Sequence, residues 1–271
     1  MARQRLGQHF LSDANWREEI ARETGISKNT TNFFLPGEPK EFCWIEIGAG
    51  HGEMTRHLVA TGQPVIAVEL DPPLARRLSE LATEFPNLRV HHSDVLKADL
   101  RDLAAGKRIK IYGNLPYYIT SPILHHLFRF ADLIDEIHVV IQMEVALRLT
   151  AKPATRDYGY LSVVTQYYSW PVIALEIPRS AFRPPPEVGS ALVSMRLPGE
   201  KKATAIADEA KFLDFVKLCF AQKRKTLVNN LRSTADPERT RAALAVIGHA
   251  PGARAEELSV VKLADLFRKL A

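Results

Sequence analysis

Cysteine is almost missing from this chain of 271 residues, which has only Cys43 and Cys219, far apart in sequence. No disulfide framework can be built from one such pair, which excludes the small stapled scaffolds and points to a reducing compartment. No apolar run approaches the roughly 20 residues needed to cross a bilayer. The first residues, Met-Ala-Arg-Gln-Arg-Leu-Gly-Gln, are polar and lack the apolar core of a secretion signal, so a cytoplasmic location is expected. There is no phosphate loop and no Gly-x-Ser-x-Gly elbow. His91-His92 and His125-His126 are adjacent pairs without the helical i, i+4 spacing or Cys/His framework of a zinc site, and no metal is expected. Internal repeats and low-complexity tracts are also missing.

What remains has the make-up of a globular protein, 46% hydrophobic and 25% charged, long enough for one large domain and a small second one. The net charge of +5 is unevenly placed. Residues 1–198 carry 22 basic and 22 acidic side chains, whereas residues 199–271 carry 14 and 9, so the whole excess lies in the last quarter. A polyanionic partner contacted by that segment would account for this, and so would a basic, solvated helical surface.

From Phe42 to about residue 142, short apolar runs alternate with helical patterns. Strands are predicted at 42–47, 64–69, 88–92, 109–113 and 137–142, with helices at 53–61, 73–84 and 121–130 between them. Asp71 before Pro72 and Pro73 reads as an acidic cap at a helix start. Such alternation implies an α/β fold with a parallel sheet covered by helices. Two more strands are expected at about 161–168 and 188–197, joined by Phe182-Arg183-Pro184-Pro185-Pro186, whose prolines exclude regular structure. Pro198-Gly199-Glu200-Lys201-Lys202 reads as a linker, and beyond it only helices are predicted, at 208–221, 223–232, 237–247 and 259–270. The expected domains are therefore 1–198 and 199–271.

The first strand runs into Glu46-Ile47-Gly48-Ala49-Gly50-His51-Gly52-Glu53. Glycines at a strand's carboxyl end let backbone approach a ligand closely, and the next helix offers free N–H groups. A dinucleotide fingerprint needs its third glycine where this chain has Glu53, and an acid there opposes a pyrophosphate. S-adenosylmethionine has no phosphate and carries a sulfonium and an ammonium, so it tolerates acidic neighbours. A purely structural glycine turn would have the same pattern. The next strand ends favour a ligand: Glu69 follows Gly48 by about 20 residues, where a carboxylate accepts ribose hydroxyls. Asp94, just after the third strand, is placed to accept from an adenine amino group.

Asn114-Leu115-Pro116-Tyr117 follows the fourth strand. An adenine amino nitrogen is a poor nucleophile because its lone pair is delocalised into the ring. The Asn114 side-chain oxygen and a backbone carbonyl near Leu115 are two acceptors that can hold both amino hydrogens and favour a pyramidal nitrogen. Pro116 fixes the backbone and brings no competing N–H. Tyr117 supplies a flat face for an extruded base. No strong general base is required, since the nitrogen becomes acidic as it is alkylated. Phe182 is read either as the opposing stacking face, held by prolines, or as a buried loop anchor.

Gly7-Gln8-His9-Phe10-Leu11, the Glu46–Gly52 turn, Asn114–Tyr117, Phe182–Ser190 and Phe220-Ala221-Gln222-Lys223-Arg224-Lys225 together resemble the ribosomal RNA adenine dimethyltransferase family, in order and spacing across nearly the whole chain. The likeness is strongest to its bacterial small-subunit branch. It implies a Rossmann-like, seven-stranded S-adenosylmethionine methyltransferase sheet with a small all-helical C-terminal domain. It implies transfer of four methyl groups to two adjacent adenosines near the 3′ end of small-subunit (16S) ribosomal RNA, with a role in ribosome assembly. The implied partner is the 30S or pre-30S particle, met by a monomer without a membrane. By the same likeness His9 and Leu11 contact the cofactor along with Gly48, Gly50, Glu69, Asp94 and Asn114. Members commonly carry Asn where this chain has His9. Gln222, Lys223, Arg224 and Lys225 would lie on a basic helix facing RNA. Two other readings stand beside this one: a relative acting on large-subunit RNA, and a ribosome-assembly factor with vestigial chemistry. Intact Glu69, Asp94, Asn114, Pro116 and Tyr117 argue against the latter.

Overall fold

A computed structural model describes residues 9–26 and 41–271. Gly7 and Gln8 of the N-terminal motif lie outside the described residues. The chain forms β1 (Phe10–Leu11), α1 (Ala14–Glu23), β2 (Phe42–Ile47), α2 (Glu53–Val59), β3 (Val65–Glu69), α3 (Pro72–Ala82), β4 (Leu88–His92), α4 (Leu100–Ala104) and β5 (Arg108–Asn114). There follow α5 (Thr120–Phe128), β6 (Ile134–Gln142), α6 (Met143–Thr150), α7 (Tyr160–Tyr168), β7 (Trp170–Ile177), β8 (Phe182–Arg183) and β9 (Ser190–Arg196). The remainder is helical: α8 (Lys201–Thr204), α9 (Glu209–Cys219), α10 (Leu227–Leu231), α11 (Pro237–Val246) and α12 (Val260–Leu270).

Seven strands form one sheet in the order β4-β3-β2-β5-β6-β9-β7. The pairs β2–β3, β3–β4, β2–β5 and β5–β6 are parallel, and β6–β9 is antiparallel. Every residue of β2 and β3 is buried. Successive strand residues face opposite sides, so both faces of the sheet are covered there. The core joins Trp44, Leu58, Val65, Leu78, Tyr112 and Leu192. Asp71 caps α3 as expected, its side chain accepting from the Leu74 N–H at 3.2 Å, with Pro72 in the first turn.

Two expectations about individual strands and loops need correction. Residues 161–168 are a helix, not a strand. Ser162, Val163, Val164, Thr165, Tyr167 and Tyr168 of α7 are all buried, so the run shows no polar face, and periodicity alone cannot separate a buried helix from a buried strand. The helix is fastened from inside: Ser162 Oγ donates to the Arg148 carbonyl at 2.5 Å, and Gln166 Nε2 donates to those of Leu149 and Ala151 at 3.1 and 2.8 Å. The strand lies later, at β7, where Pro171 disguises it. Proline is tolerated on β7 because that strand is the edge of the sheet. The second correction is in the proline-rich stretch. Its first two residues, Phe182 and Arg183, pair antiparallel with Leu11 and Phe10, and the prolines begin only after that ladder.

The chain divides into two compact units. One holds the described residues up to Ala146 together with Val172–Leu197; the other is Leu147–Pro171 with Pro198–Ala271. A single cut at 198 therefore misses that 147–171 belongs with the C-terminal helices. The second unit is built on aromatics: Phe212 meets Tyr167 at 5.3 Å and Phe267 at 5.6 Å between ring centroids, and the Tyr158 hydroxyl donates to the Leu258 carbonyl at 3.0 Å. The segment at 198–202 is no free linker either. The Gly199 N–H donates to the Tyr168 carbonyl at 2.8 Å, that of Glu200 to Gln166 at 3.0 Å, and α8 begins at Lys201.

Candidate active site

Parallel strands deliver their carboxyl ends to one edge of a sheet, and in open α/β folds ligands bind there. Here β2, β3 and β5 present Gly48–Gly52, Glu69 and Asn114 at that edge. Gly48 and Gly50 have φ of +67° and +59°, a region that strains residues carrying a Cβ. At Gly50 space closes as well, since a Cβ would come within 3.1 Å of the Phe10 ring. Glu69 is 3% exposed. Its Oε2 accepts from the Gly50 N–H and its Oε1 from the Asp71 N–H, each at 2.9 Å. These bonds lock the glycine turn to the carboxylate. Each oxygen keeps a further lone pair, as acceptance from a ribose diol requires.

The cleft over this edge is lined by His9, Gly48, Gly50, Glu69 and Asn114, and also by Leu115, Pro116 and Tyr117. Phe10, Gly48, Gly50 and Asn114 also line the adjoining cavity, which reaches Leu11, Glu46 and Glu53. Among the described residues no Lys or Arg lines either space. Glu53 is paired with Arg17 at 3.2 Å. Glu46 is 2% exposed, and burial pushes its carboxyl up to about 8, against the lowering effect of a hydrogen bond from Thr55. Of the acids in the described lining, Glu53 is paired and Glu46 keeps its proton through neutral pH, so Glu69 is the carboxylate left to meet a cationic ligand, with no described cation there to hold a polyphosphate. The residues present therefore fit S-adenosylmethionine.

Asn114 ends β5 with its Nδ2 donating to the His9 carbonyl at 2.8 Å, which leaves Oδ1 as the group to offer an incoming amino nitrogen. The Leu115 N–H is committed to the Val140 carbonyl at 3.0 Å. Tyr117 is tied at its hydroxyl to Ser190 Oγ at 2.7 Å, and burial raises its pKa against the lowering effect of that bond. The His9 ring stacks on Tyr117, with centroids 5.5 Å apart and planes at 26°. His9 Nδ1 also meets the Pro184 carbonyl at 2.8 Å, so the imidazole donates there.

Eight of the expected residues thus share one cleft, and Leu11 borders the adjoining cavity. Asp94 lies outside that lining. It closes β4 two strands from β2, and its Oδ1 accepts from the Leu96 N–H at 3.0 Å, capping a short turn. Phe182 does not present a stacking face: it is 1% exposed and packed in the core with Leu11 and Ile177. The pairing of Phe182 with Leu11 seals the ring inward, so the loop-anchor reading is the one the geometry supports. Gln222, Lys223, Arg224 and Lys225 are exposed as expected but lie in a turn, not on a helix. Thr226 accepts from the Asn229 N–H and so starts α10 after the cluster, while Asn230 Nδ2 donates to the Cys219 carbonyl at 2.7 Å and braces the turn. Sequence reasoning assigned no part to Phe10, Ser190 or the buried Glu46. Ser190 and Glu46 sat inside quoted motifs, but the tyrosine bond of one and the burial of the other depend on the register of strands distant in sequence. Among the described residues no group of three or more His, Cys, Asp or Glu is placed to hold a metal ion, and no helix is long and apolar enough to cross a membrane.

The profile of the ribosomal RNA adenine dimethylase family matches residues 1–271. Ribosomal RNA small subunit methyltransferase A of Acidobacterium capsulatum is 40% identical over 269 residues, covering 98% of this chain and 90% of that protein. The protein of the same name from Koribacter versatilis is 37% identical over 279 residues, covering 98% and 93%. Among solved structures, the 23S rRNA methyltransferase ErmE aligns with a TM-score of 0.69 at 27% identity, covering 96% of this chain and 99% of that one. A dimethyladenosine transferase from Plasmodium falciparum gives 0.74 at 20% identity, covering 95% and 96%, and shares the fold.

Proposed function

The chain belongs to the ribosomal RNA adenine dimethylase family, and from that membership we propose that it dimethylates two adjacent adenosines near the 3′ end of small-subunit ribosomal RNA. The reaction is S-adenosylmethionine-dependent dimethylation of adenine amino groups in ribosomal RNA on a Rossmann-like methyltransferase fold. The small-subunit assignment is carried by one observation: identity of 37–40% over 98% of the chain to two proteins named for the small subunit, against 27% to the large-subunit enzyme ErmE. A monomer acting in the cytoplasm on the small subunit or its precursor, with a part in assembly, completes the reading.

S-adenosylmethionine, when bound, supplies an electrophilic methyl group on sulfur. Glu69 would accept its ribose hydroxyls, Asp94 its adenine amino group, and the Gly48–Gly50 backbone, with Leu11 and the His9 backbone, would close around it. The chain's own work is on the target nitrogen. Asn114 Oδ1, with its amide nitrogen held by the His9 carbonyl, accepts one amino hydrogen, and a backbone carbonyl at Leu115–Pro116 accepts the other. Drawing both hydrogens to one side pyramidalises the nitrogen and frees its lone pair. Tyr117 provides the flat support for the base, and Phe182 contributes by anchoring the loop beside it. Gln222, Lys223, Arg224 and Lys225 would meet RNA phosphates from their exposed turn.

Labelled S-adenosylmethionine incubated with the protein and undermethylated small subunits, with large subunits in parallel, tests the assignment by mass spectrometry of modified bases. Dimethyladenosine at two neighbouring small-subunit positions is expected; label confined to large-subunit RNA overturns the proposal. Asn114→Ala is expected to abolish turnover while cofactor binding, measured by calorimetry, largely persists. Near-normal turnover in that variant would remove Asn114 from the mechanism.

A further inference from the structure

A carboxyl group taken out of water and given no cation holds its proton, and gives it up when positive charge is brought beside it. Glu46 is such a group. It is 2% exposed near the end of β2 and lines the cavity adjoining the cofactor cleft; Phe10, Gly48, Gly50 and Asn114 line both spaces. Its side chain has one hydrogen bond, from Thr55 Oγ1 of α2 to Oε2 at 2.6 Å. The charges around it are committed elsewhere or repel it. Glu69 on β3 is an acid, and its charge adds to the rise in the Glu46 pKa. Arg17 of α1 is held on Glu53 at 3.2 Å, and Lys110 of β5 on Glu136 at 3.3 Å. His51 of the glycine turn meets Arg77 at 3.4 Å.

Beside it stands a donor with nothing to donate to. Tyr112 is the register partner of Glu46 across β5 and β2, so both side chains project from one face of the sheet. Tyr112 is 1% exposed and lines the same cavity, and its hydroxyl has no hydrogen-bond partner. Burial, and then the charge of Glu46, hold the hydroxyl's pKa up, so it stays a donor. Buried hydroxyls are seldom left unpaired, and a carboxylate at Glu46 would give this one an acceptor. The cavity, about 40 Å3, has room for the water that carries a proton away. We propose that cofactor binding is coupled to proton release at Glu46, a neutral acid in the protein alone that becomes a carboxylate, bonded by Thr55 and Tyr112, when the positive charge of S-adenosylmethionine enters the cleft. The acid's O–H bond breaks, its electron pair stays on oxygen and the proton passes to solvent. The site thereby meets a sulfonium and an ammonium with a second carboxylate beside Glu69, carried uncharged until the cation arrives. This rests on the cofactor of the reaction proposed above and adds a residue to its binding. A proton that binding must expel opposes binding while it is held. Affinity therefore climbs as the pH rises toward about 8 and levels off above it.

Calorimetry of S-adenosylmethionine binding to the full chain, in buffers of different ionisation enthalpy at about pH 7.5, counts the protons released. The cofactor's own amino group titrates near 7.7–8.0, roughly the value of any α-amino group. The reading is therefore the difference between the wild type and Glu46→Gln, whose carboxamide still accepts from Thr55. The wild type should release at least about half a proton more than the variant. Its Kd should fall about tenfold relative to the variant's between pH 6.5 and 8.5, the equivalent of lowering the acid's pKa by about 1.5 on binding. Infrared difference spectra of the wild type with and without cofactor should show a protonated-carboxyl C=O band lost on binding, a readout that needs no variant. Equal proton release by the wild type and a folded Glu46→Gln, or a carboxyl band unchanged by the cofactor, overturns the coupling. A chain that binds the cofactor with this proton release yet fails to methylate ribosomal RNA would strike the proposed function and leave the coupling standing.

Discussion

Glu46 is a carboxyl group 2% exposed beside the cleft, and it shows what a single residue can do to the whole molecule's response to pH. Burial raises its pKa from 4.5 to about 8; the hydrogen bond from Thr55 works against this, and the charge of Glu69 adds to it. The folded state therefore keeps this proton at pH values where the unfolded chain has released it. The stability this contributes is fully present below about 4.5 and is lost as the pH rises through about 8. Glu46→Gln cannot ionise, yet its carboxamide oxygen still accepts from Thr55. Thermal melts from pH 5 to 8.5 should show the wild type losing ground to Glu46→Gln as the pH rises; parallel curves would mean that Glu46 is not buried as described. At this scale the membership of the cleft was legible wherever the proposed reaction constrains both residue type and spacing. Asn114 and Glu69 are such positions, and both line the cleft. The orientation of the His9 ring was not legible, nor was the choice between the two readings of Phe182, because both are set by the β1–β8 pairing across about 170 residues of sequence.

At the scale of elements, the parallel strands β2, β3, β5 and β6 were readable because each is a short, mostly buried run between turn signals, whereas β4, at the sheet's edge, buries only Leu88. Reading failed where burial removed the periodicity, at α7, and where an edge position excused a proline, at β7. The stretch after Leu197 failed for a third reason: glycine and proline look like a linker whether the backbone is loose or pressed against a neighbour. A Cβ on Gly199 would lie 2.4 Å from both the Gln166 carbonyl oxygen and the Ser169 nitrogen, and 2.6 Å from the Ser169 carbonyl oxygen. All three are backbone atoms at the end of α7, so no side chain can swing away. Gly199→Ala should destabilise the helical unit by about 3 kcal/mol, the upper end of the usual cost of overpacking. Denaturant titration followed by circular dichroism at helical wavelengths measures this. A variant within about 0.5 kcal/mol of the wild type, the range of a neutral surface change, would show that the segment yields as a true linker does.

The molecule as a whole carries its positive excess in the last quarter of the chain, and this was visible before any fold was known, because counting charges needs no orientation. Which charges meet RNA is a different matter. The exposed run Lys223-Arg224-Lys225 is held in a turn between α9 and α10, and Lys223 Nζ already donates to the Arg156 carbonyl at 2.6 Å within the same unit. An ammonium has three donors, so Lys223 can keep that bond and still face a phosphate. Arg224 and Lys225 carry their charge into solvent as the turn's outer residues. Each phosphate contact releases condensed counterions and adds about 0.7 to 0.9 to the slope of log K against log salt. Replacing Lys223, Arg224 and Lys225 together by alanine should therefore weaken binding to small-subunit RNA and flatten that slope by about 2 if all three touch phosphate. Filter binding across 50 to 300 mM salt, with a melting curve to show that the turn still folds, measures both. A folded triple variant with weaker binding and an unchanged slope would mean that the turn acts by shape or base contact. Unchanged binding would leave the excess positive charge of the C-terminal quarter as solvated helical surface, the other reading that charge alone allowed.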